Sequence, residues 1–296
     1  MFTNNRLNEV YHNAPRKYFD TSSKLIFFSD AHRGDDSLSD EFSRNKTLML
    51  CALKYYYQHG YTYIEVGDGD ELWEYTHFKY IRTAHADIFT LLKAFFKANR
   101  FIMLYGNHNI FLKNKNYVAK NYYYYYDEYG ERVCDLFKGI VPLEGIILKH
   151  CYTGQEILVV HGHQGDLLND QLWPINMFFL RYLWRLVHVV GFKNPASPTR
   201  NHLKRHKIEK NYSKWIKAHH TMLICGHSHR SKFPRPHELP YFNTGCCIHS
   251  KGICGIEILN DQIMIVQWRI LPDDNGSLKA VRQIICGPRP LSQFKF

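Results

Sequence analysis

Residues 24–32, KLIFFSDAH, decide the fold class. They join a short apolar run to a polar turn, the pattern of a buried strand that ends at a functional loop. The pattern recurs, and it predicts strands over residues 24–29, 61–66, 101–105, 156–160 and 221–225. Helical spacing of apolar residues separates the first three strands, over residues 43–59 and 86–99. Strand, helix and strand in succession predict a parallel α/β sheet.

The second half of the chain has strand patterns without long helices between them. These patterns cover residues 145–149, 241–244, 255–259 and 262–270. Asn260 and Asp261 separate the last two and favour a hairpin turn. We therefore expect a mixed or antiparallel sheet packed beside the first. Five consecutive tyrosines, residues 122–126, are interpreted as a loop or packed helix and not as a base-stacking platform.

An inserted segment, residues 165–220, interrupts this pattern. It begins apolar, with LWPINMFFLRYLWRLVHVVGF over residues 172–192, and then becomes strongly basic. We interpret it as a helical lid within a single domain that spans residues 1–296. The lid could close over a lipid-like substrate or touch a membrane interface. The alternative, that its apolar face only packs on the rest of the protein, stays open.

Composition bounds the class of partner and the compartment. The net charge of +11 favours an anionic partner, and phosphorylated metabolites, anionic membranes and nucleic acids all satisfy that. The eight cysteines form no C-x-x-C pair, which argues against a disulfide framework or zinc ribbon. The N-terminal residues lack an apolar signal region. We expect a cytoplasmic protein, with peripheral contact at the inner membrane face as an open alternative. The arginines within residues 172–192 argue against a spanning helix.

Residues suited to metal binding follow the predicted strands. They are Asp30 and His32 in SDAHRG, Asp68 in VGDGDE, Asn107 in YGNHN, His161 in VVHGH, and His227 and His229 in CGHSHR. Ligands bind outside the carboxyl ends of strands in α/β sheets, so these side chains can converge. Carboxylate, amide and imidazole ligands fit two divalent transition ions, with Mn the first expectation and Fe, Zn or Co as alternatives.

The order D-x-H, GD-x-x-E, GNH, HG-H and GH-x-H resembles the calcineurin-like metallophosphoesterase superfamily over residues 24 to about 230. The resemblance implies an α/β (α+β) fold, an αββα sandwich of two central sheets flanked by helices. It implies that Asp30, His32 and His229 hold one ion, that Asn107, His161 and His227 hold the other, and that Asp68 bridges them. It also implies that His108 assists the leaving oxygen and that Glu71 orients His108.

This resemblance implies hydrolysis of a phosphodiester or pyrophosphate bond by a hydroxide held between the two ions. Within the superfamily, GDGDELWEY and the inserted segment are similar to bacterial UDP-2,3-diacylglucosamine pyrophosphohydrolases. That group usually has Arg where this chain has His108, and Asp where it has His163. The comparison favours an anionic, nucleotide-linked or lipid-like substrate. The candidate substrate contacts are Arg33, Trp73, His163, Arg181 and Arg185.

Three alternatives remain. His108 after Asn107 is also typical of phosphodiesterase branches, so a nuclease or cyclic nucleotide phosphodiesterase is the second enzyme hypothesis. A non-catalytic interaction module on the same scaffold is less favoured, because no expected ligand position is empty. A protein that binds nucleic acid through its basic segment would leave the ordered ligands unexplained, and no clear nucleic-acid motif is present. The oligomeric state stays open.

Overall fold

The computed structural model describes residues 2–164, 166–179, 181 and 202–296. The helices in this part of the chain are α1 (Phe2–Asn13), α2 (Lys46–Gln58), α3 (Phe78–Ala84), α4 (Ala86–Lys97), α5 (Lys115–Tyr122), α6 (Leu167–Asp170), α7 (Trp173–Phe179) and α8 (His202–His219). Short 3₁₀ turns cover Ser43–Asn45, Ile110–Lys113 and Leu291–Phe294.

The described strands form two large sheets and one small hairpin. They are β1 (Arg16–Phe19), β2 (Lys24–Phe28), β3 (Thr62–Val66), β4 (Phe101–Leu104), β5 (Tyr124–Asp127), β6 (Arg132–Asp135), β7 (Gly145–His150), β8 (Glu156–Val160), β9 (Met222–Cys225), β10 (Tyr241–Asn243), β11 (Ile253–Leu259), β12 (Gln262–Pro272) and β13 (Leu278–Pro290). Sheet I has the order β13-β12-β11-β2-β3-β4, sheet II has the order β1-β7-β8-β9-β10, and β5 pairs with β6.

The alternation of side chains along the strands explains the layers. In β2, Leu25 and Phe27 point to the core between the two sheets, whereas Ile26 and Phe28 join a second core on the other face. That second core packs sheet I against α2 and α4. A third core packs sheet II against α1 and α8. Each sheet therefore packs one face on the other sheet and the opposite face on helices. The result is four layers, in the order helix, sheet, sheet and helix.

The predicted α/β architecture is confirmed, with one correction to its connectivity. Strands β2, β3 and β4 are parallel, as the strand-helix-strand pattern predicted. The late hairpin β11–β12 turns at Asn260 and Asp261, both with positive φ, as expected for a tight hairpin turn. However, β11 pairs with β2 and extends sheet I, while sheet II is built from β1 and β7–β10. The predicted second sheet is therefore present and contains the strands expected at residues 145–149 and 241–244, but the strands expected there at 255–259 and 262–270 belong to sheet I.

The tyrosine run also differs from its prediction. Tyr122 ends α5 and is completely buried, whereas Tyr124 begins strand β5. Tyr124 and Tyr126 are exposed on one face of the hairpin, which is the alternation of a strand. The run therefore divides between a helix end and a strand, and neither the loop nor the continuous helix is present.

Only part of the predicted lid segment lies within the described residues. Helix α8 buries Tyr212, Trp215 and Ile216 against sheet II, while Lys214 and Lys217 face solvent. This part of the basic stretch is thus the solvated face of a packed helix. Most of the predicted apolar face, including Leu183, Trp184, Leu186 and the candidate contact Arg185, lies outside the described residues. Among the described helices, none has the length and apolar character needed to cross a bilayer.

Candidate metal centre

The carboxyl ends of strands from both sheets meet at one place. The loops after β2 and β3 run side by side, because the Asp30 amide donates to the Gly67 carbonyl at 3.1 Å and the His32 amide donates to the Asp68 carbonyl at 2.9 Å. Five of the predicted ligands have positive φ, namely Asp30, His32, Asp68, His227 and His229. Each such conformation costs about 1–3 kcal/mol in a residue other than glycine. Strained backbone conformations of this kind are concentrated at functional sites.

One group of ligand atoms gathers around Asp30. Its Oδ1 lies 3.1 Å from His229 Nε2, 3.8 Å from His32 Nε2 and 3.9 Å from His161 Nε2. Its Oδ2 accepts hydrogen bonds from the His227 amide and from the Ser29 hydroxyl. The second oxygen therefore fixes the carboxylate, which leaves Oδ1 directed at three imidazoles. Asp30, His32 and His229 are close enough together to share one ion.

A second group gathers around Asp68. Its Oδ2 lies 2.9 Å from His161 Nε2 and 3.9 Å from His32 Nε2, so it stands between the two groups. His161 Nδ1 donates to the Val66 carbonyl at 2.9 Å, which fixes the tautomer that presents Nε2 as a ligand. Asp68, His161 and His227 form the second set that could hold an ion. The predicted bridging position of Asp68 agrees with these contacts.

Several polar atoms at this centre are buried without a hydrogen-bond partner among the described residues. They are Asp30 Oδ1, Asn107 Oδ1 and His161 Nε2. Asn107 follows Gly106, where a β-carbon would clash with the side chains of Asp68 and His161. Buried polar atoms are normally satisfied, so three unsatisfied ligand-type atoms at one centre fit a site built for cations.

The electrostatics of the centre also suit a cation. Burial would raise the pKa of Asp30, but the imidazoles of His229 and His161 hold it well below its usual range. Burial likewise opposes ionisation of Asp68, yet His161 and His108 lower its pKa. Burial would lower the pKa of His161, but the two carboxylates raise it. A metal ion must displace these protons, so its affinity should fall as the pH falls.

A third cluster joins the predicted catalytic pair to the ligands. Glu71 Oε2 lies 2.6 Å from His108 Nδ1 and bonds His32 Nδ1 at 2.8 Å. The His108 contact lacks hydrogen-bond alignment. Burial would raise the pKa of Glu71, but His108 and His32 lower it to about 2, so this carboxylate is ionised. Trp73 stacks on the His108 ring with centroids 4.3 Å apart. Glu71 thus touches the proposed acid, as predicted, and also a metal-type histidine, which sequence reasoning missed.

The candidate substrate contacts fall into different places. Arg33 is completely buried and each of its three side-chain nitrogens donates to a carboxylate, so the geometry assigns it a structural role and corrects the predicted substrate contact. Trp73 is completely buried behind His108, and contact with a substrate there would pass through that ring. Arg181 donates to the Trp73 carbonyl at 2.7 Å and to the Leu72 carbonyl at 3.2 Å, and so braces their loop.

His163 lies at the inner wall of a cavity beside the centre. The ring is buried, its Nδ1 lacks a hydrogen-bond partner among the described residues, and burial and His161 keep its pKa well below the usual value. The cavity measures about 460 Å³, and its lining residues are Arg6, Tyr105, Ile110, Phe111, Lys113, Asn114, Glu144, His163, Asp170 and Trp173. A neutral imidazole at this place can exchange hydrogen bonds with a bound group.

Two residues of the inserted segment reach the centre and were not predicted. Asp166 Oδ2 lies 3.6 Å from His227 Nε2, and Asn169 Nδ2 lies 3.5 Å from the same atom. Asn169 also donates to Asp166 at 2.7 Å. The spacing H-G-H-x-x-D, with Asp166 five residues after His161, was the signal that could have marked the first of them.

No family model matches the chain, and no curated protein matches it. Among solved structures, it is similar to a predicted phosphoesterase of Streptococcus pneumoniae, with 12% identity, a TM-score of 0.35, and coverage of 88% of this chain and 97% of the other. It is also similar to a Vps29 single mutant of Entamoeba histolytica, with 13% identity, a TM-score of 0.37, and coverage of 88% of this chain and 99% of the other. For an archaeal phosphodiesterase the identity is 14%, the TM-score is 0.34, and the coverage is 88% of this chain and 99% of the other. These low values assign no function by themselves.

Proposed function

We propose that this protein is a phosphoesterase that depends on two divalent metal ions and hydrolyses a phosphodiester or pyrophosphate bond. The observation that carries the proposal is the convergence of buried ligand atoms: Asp30 Oδ1 and His161 Nε2 make ion-pair contacts without hydrogen-bond alignment, and Asn107 Oδ1 has no hydrogen-bond partner among the described residues. Two groups of ligands that share one intervening carboxylate, Asp68, are the arrangement that a two-ion site requires. The sequence resemblance to calcineurin-like metallophosphoesterases agrees with it.

The ligands divide as the contacts suggest. Asp30, His32 and His229 would hold one ion, His161 and His227 the other, and Asp68, which contacts both groups, would hold both. Asn107, whose Oδ1 is buried without a hydrogen-bond partner among the described residues, would join the second ion as the sequence resemblance implies. When bound, the ions would lower the pKa of a water molecule to make the nucleophile and would neutralise charge on the phosphoryl oxygens. Because the donors mix imidazole with oxygen, we propose transition ions, with Mn²⁺ the first to test.

His108 is the proposed general acid. The Glu71 carboxylate lies beside Nδ1, and the acid role requires the imidazolium form, whose Nε2–H would give its proton to a leaving oxygen. Trp73 fixes the plane of the ring by stacking, and the His108 amide donates to Asp68 Oδ1 at 2.8 Å. The acid and the shared carboxylate are therefore held in one rigid unit.

The cavity beside His163 supports a substrate that extends beyond its phosphate. Its walls combine aromatic rings with charged and amide groups, and the Phe111 and Trp173 rings meet edge to face at 5.6 Å. A nucleotide-linked group satisfies both kinds of wall better than an acyl chain, which needs a continuous apolar wall. We propose a nucleotide-linked substrate for a single-domain protein. Because α8 packs on sheet II, only the part of the predicted lid before residue 202 is proposed to close over the substrate or to contact lipid.

Trp173→Ala tests this assignment of the cavity. Loss of stacking should raise KM for a nucleoside p-nitrophenyl phosphate diester about tenfold, since stacking on an aromatic ring contributes about 1–3 kcal/mol per base. Hydrolysis of bis(p-nitrophenyl) phosphate should not change. Ile175→Ala, an exposed position of the same helix, is the control. Equal changes on both substrates would show that the cavity does not hold the nucleoside.

Metal analysis with an activity screen tests the function itself. Purified protein reconstituted with Mn²⁺ should retain up to two ions per chain and hydrolyse bis(p-nitrophenyl) phosphate. The same screen should compare monoesters, cyclic nucleotides and UDP- or CDP-linked lipids, because these distinguish the diesterase, cyclic phosphodiesterase and pyrophosphohydrolase alternatives. A chain that binds no metal and cleaves none of these compounds under any of the four metals would contradict the proposal.

A further inference from the structure

We propose that Arg33 is a positioning residue that sets the affinity of the centre for metal. This inference rests on the proposed function, since it assumes that Asp30, His32 and Asp68 hold ions. The residue follows His32 directly, yet its side chain turns away from the ligands into the protein, where none of it is exposed. Its role must therefore act through the backbone of the loops that carry the ligands.

The Arg33 guanidinium ties three elements together. Nη1 and Nη2 each donate to Glu65 of β3 at 2.8 Å, and Nε donates to Asp70 in the next loop at 2.7 Å. Tyr122, at the end of α5, donates to the other oxygen of Asp70 at 2.7 Å. Charge-assisted bonds with this fork geometry fix direction as well as distance. The result is one buried network under both ligand loops.

The network lies where the backbone needs restraint. Asp30, His32 and Asp68 all have positive φ, a conformation that persists only when the surroundings impose it. The Arg33 amide donates to the Gly69 carbonyl at 2.9 Å, and the Glu71 amide donates to the Arg33 carbonyl at 3.0 Å. Gly69 lies so close to the network that a β-carbon there would clash with Glu65 and Arg33. The side-chain network and these backbone bonds thus hold one loop pair.

Stability alone does not account for so many buried charges. Two carboxylates and one guanidinium are withdrawn from water here, and apolar replacements of such groups are often neutral or stabilising. The same sheet holds a second network away from the centre, in which a partly exposed arginine, Arg282, and Tyr56 both donate to the buried Glu257. If buried networks served stability only, the two should respond alike to the same substitution. A positioning role predicts that only the Arg33 network changes metal binding.

Two matched pairs of variants test the inference. Tyr122→Phe and Tyr56→Phe each remove one phenolic hydroxyl that donates to a carboxylate paired with arginine, and Tyr122→Phe keeps the ring that stacks on Phe78. Arg33→Lys and Arg282→Lys each replace the fork by a single ammonium. The measurements are the Kd for Mn²⁺ by titration calorimetry on metal-free protein and the midpoint of thermal unfolding without metal.

We expect all four variants to lower the unfolding midpoint. Only Tyr122→Phe and Arg33→Lys should raise the Kd for Mn²⁺, by about 10–100-fold as for other residues that orient metal ligands. Should Arg33→Lys fail to fold, Tyr122→Phe decides. The inference would be overturned, and the proposed function left intact, if the wild-type protein binds Mn²⁺ and each variant of the Arg33 network has the same Kd as its partner variant of the Arg282 network. Wild-type protein that binds none of the four metals would overturn the proposed function, and the inference with it.

Discussion

Asp68→Ala is expected to remove bound metal and to lower phosphodiester hydrolysis by about a thousandfold or more. Asp68 Oδ2 lies between His161 and His32, and its Oδ1 accepts from the His108 amide, so this one carboxylate contacts both ligand groups and the backbone of the proposed acid. Ions at such a centre supply several kcal/mol of charge stabilisation, and about 1.4 kcal/mol corresponds to a factor of ten in rate. Metal content and the rate with added Mn²⁺ are the measurements.

Asp40→Ala is the matched control for this substitution. Asp40 is also a buried carboxylate paired with a buried histidine, since its Oδ2 lies 2.9 Å from His85 Nε2, but it lies outside the ligand groups. The control should lose thermal stability and keep its metal. An Asp68→Ala protein that retains full activity would contradict the proposed function.

His108→Ala should keep both ions and lose about 10²–10⁴-fold in turnover. The loss should depend on the leaving group, because a general acid matters most when the departing oxygen is strongly basic. An alkyl nucleotide diester should therefore suffer more than a p-nitrophenyl ester, whose phenolate leaves without a proton. Rates on the two substrates, with metal content measured in parallel, check the prediction.

Glu71→Gln provides the companion to His108→Ala. It keeps the size of the side chain but removes the negative charge of the carboxylate. Oε2 of that carboxylate lies 2.6 Å from His108 Nδ1 and is hydrogen-bonded to His32 Nδ1. We expect a smaller loss of turnover, with some weakening of metal binding through His32. Equal losses on both leaving groups in His108→Ala would assign His108 to charge stabilisation instead of proton transfer, and loss of metal would make it a ligand.

The sequence predicted the strand ends well because their signal is local. An apolar run followed by Asp, Asn or His is visible in five or six residues, and the structure brings Asp30, Asp68 and His161 together at such ends. Pairing between distant strands has no comparable signal. The pairing of β11 with β2 was therefore missed, although the hairpin at Asn260 was predicted.

The partners of long polar side chains were harder to predict. Arg33 sits in the motif SDAHRG, where a cation near a phosphate site suggests contact with substrate. The direction of the Arg33 side chain depends on Glu65, which the sequence shows only as one polar residue in an otherwise apolar strand. It also depends on Asp70 and its partner Tyr122, which lies far along the chain. The contacts of Asp166 and Asn169 with His227 likewise depend on the fold of the inserted segment, which no short pattern specifies.

The ligands of the centre are spread over most of the chain. His32 and His229 are separated by 197 positions, yet their Nε2 atoms lie 3.3 Å apart. Contacts at that separation are non-local, and their loop-closure entropy must be offset by other contacts before they form. During synthesis, a nascent chain that ends before β9 lacks His227 and His229, so it cannot complete either set of ligands. Metal uptake would then report a finished fold, and a truncated product would be recognised by its failure to load.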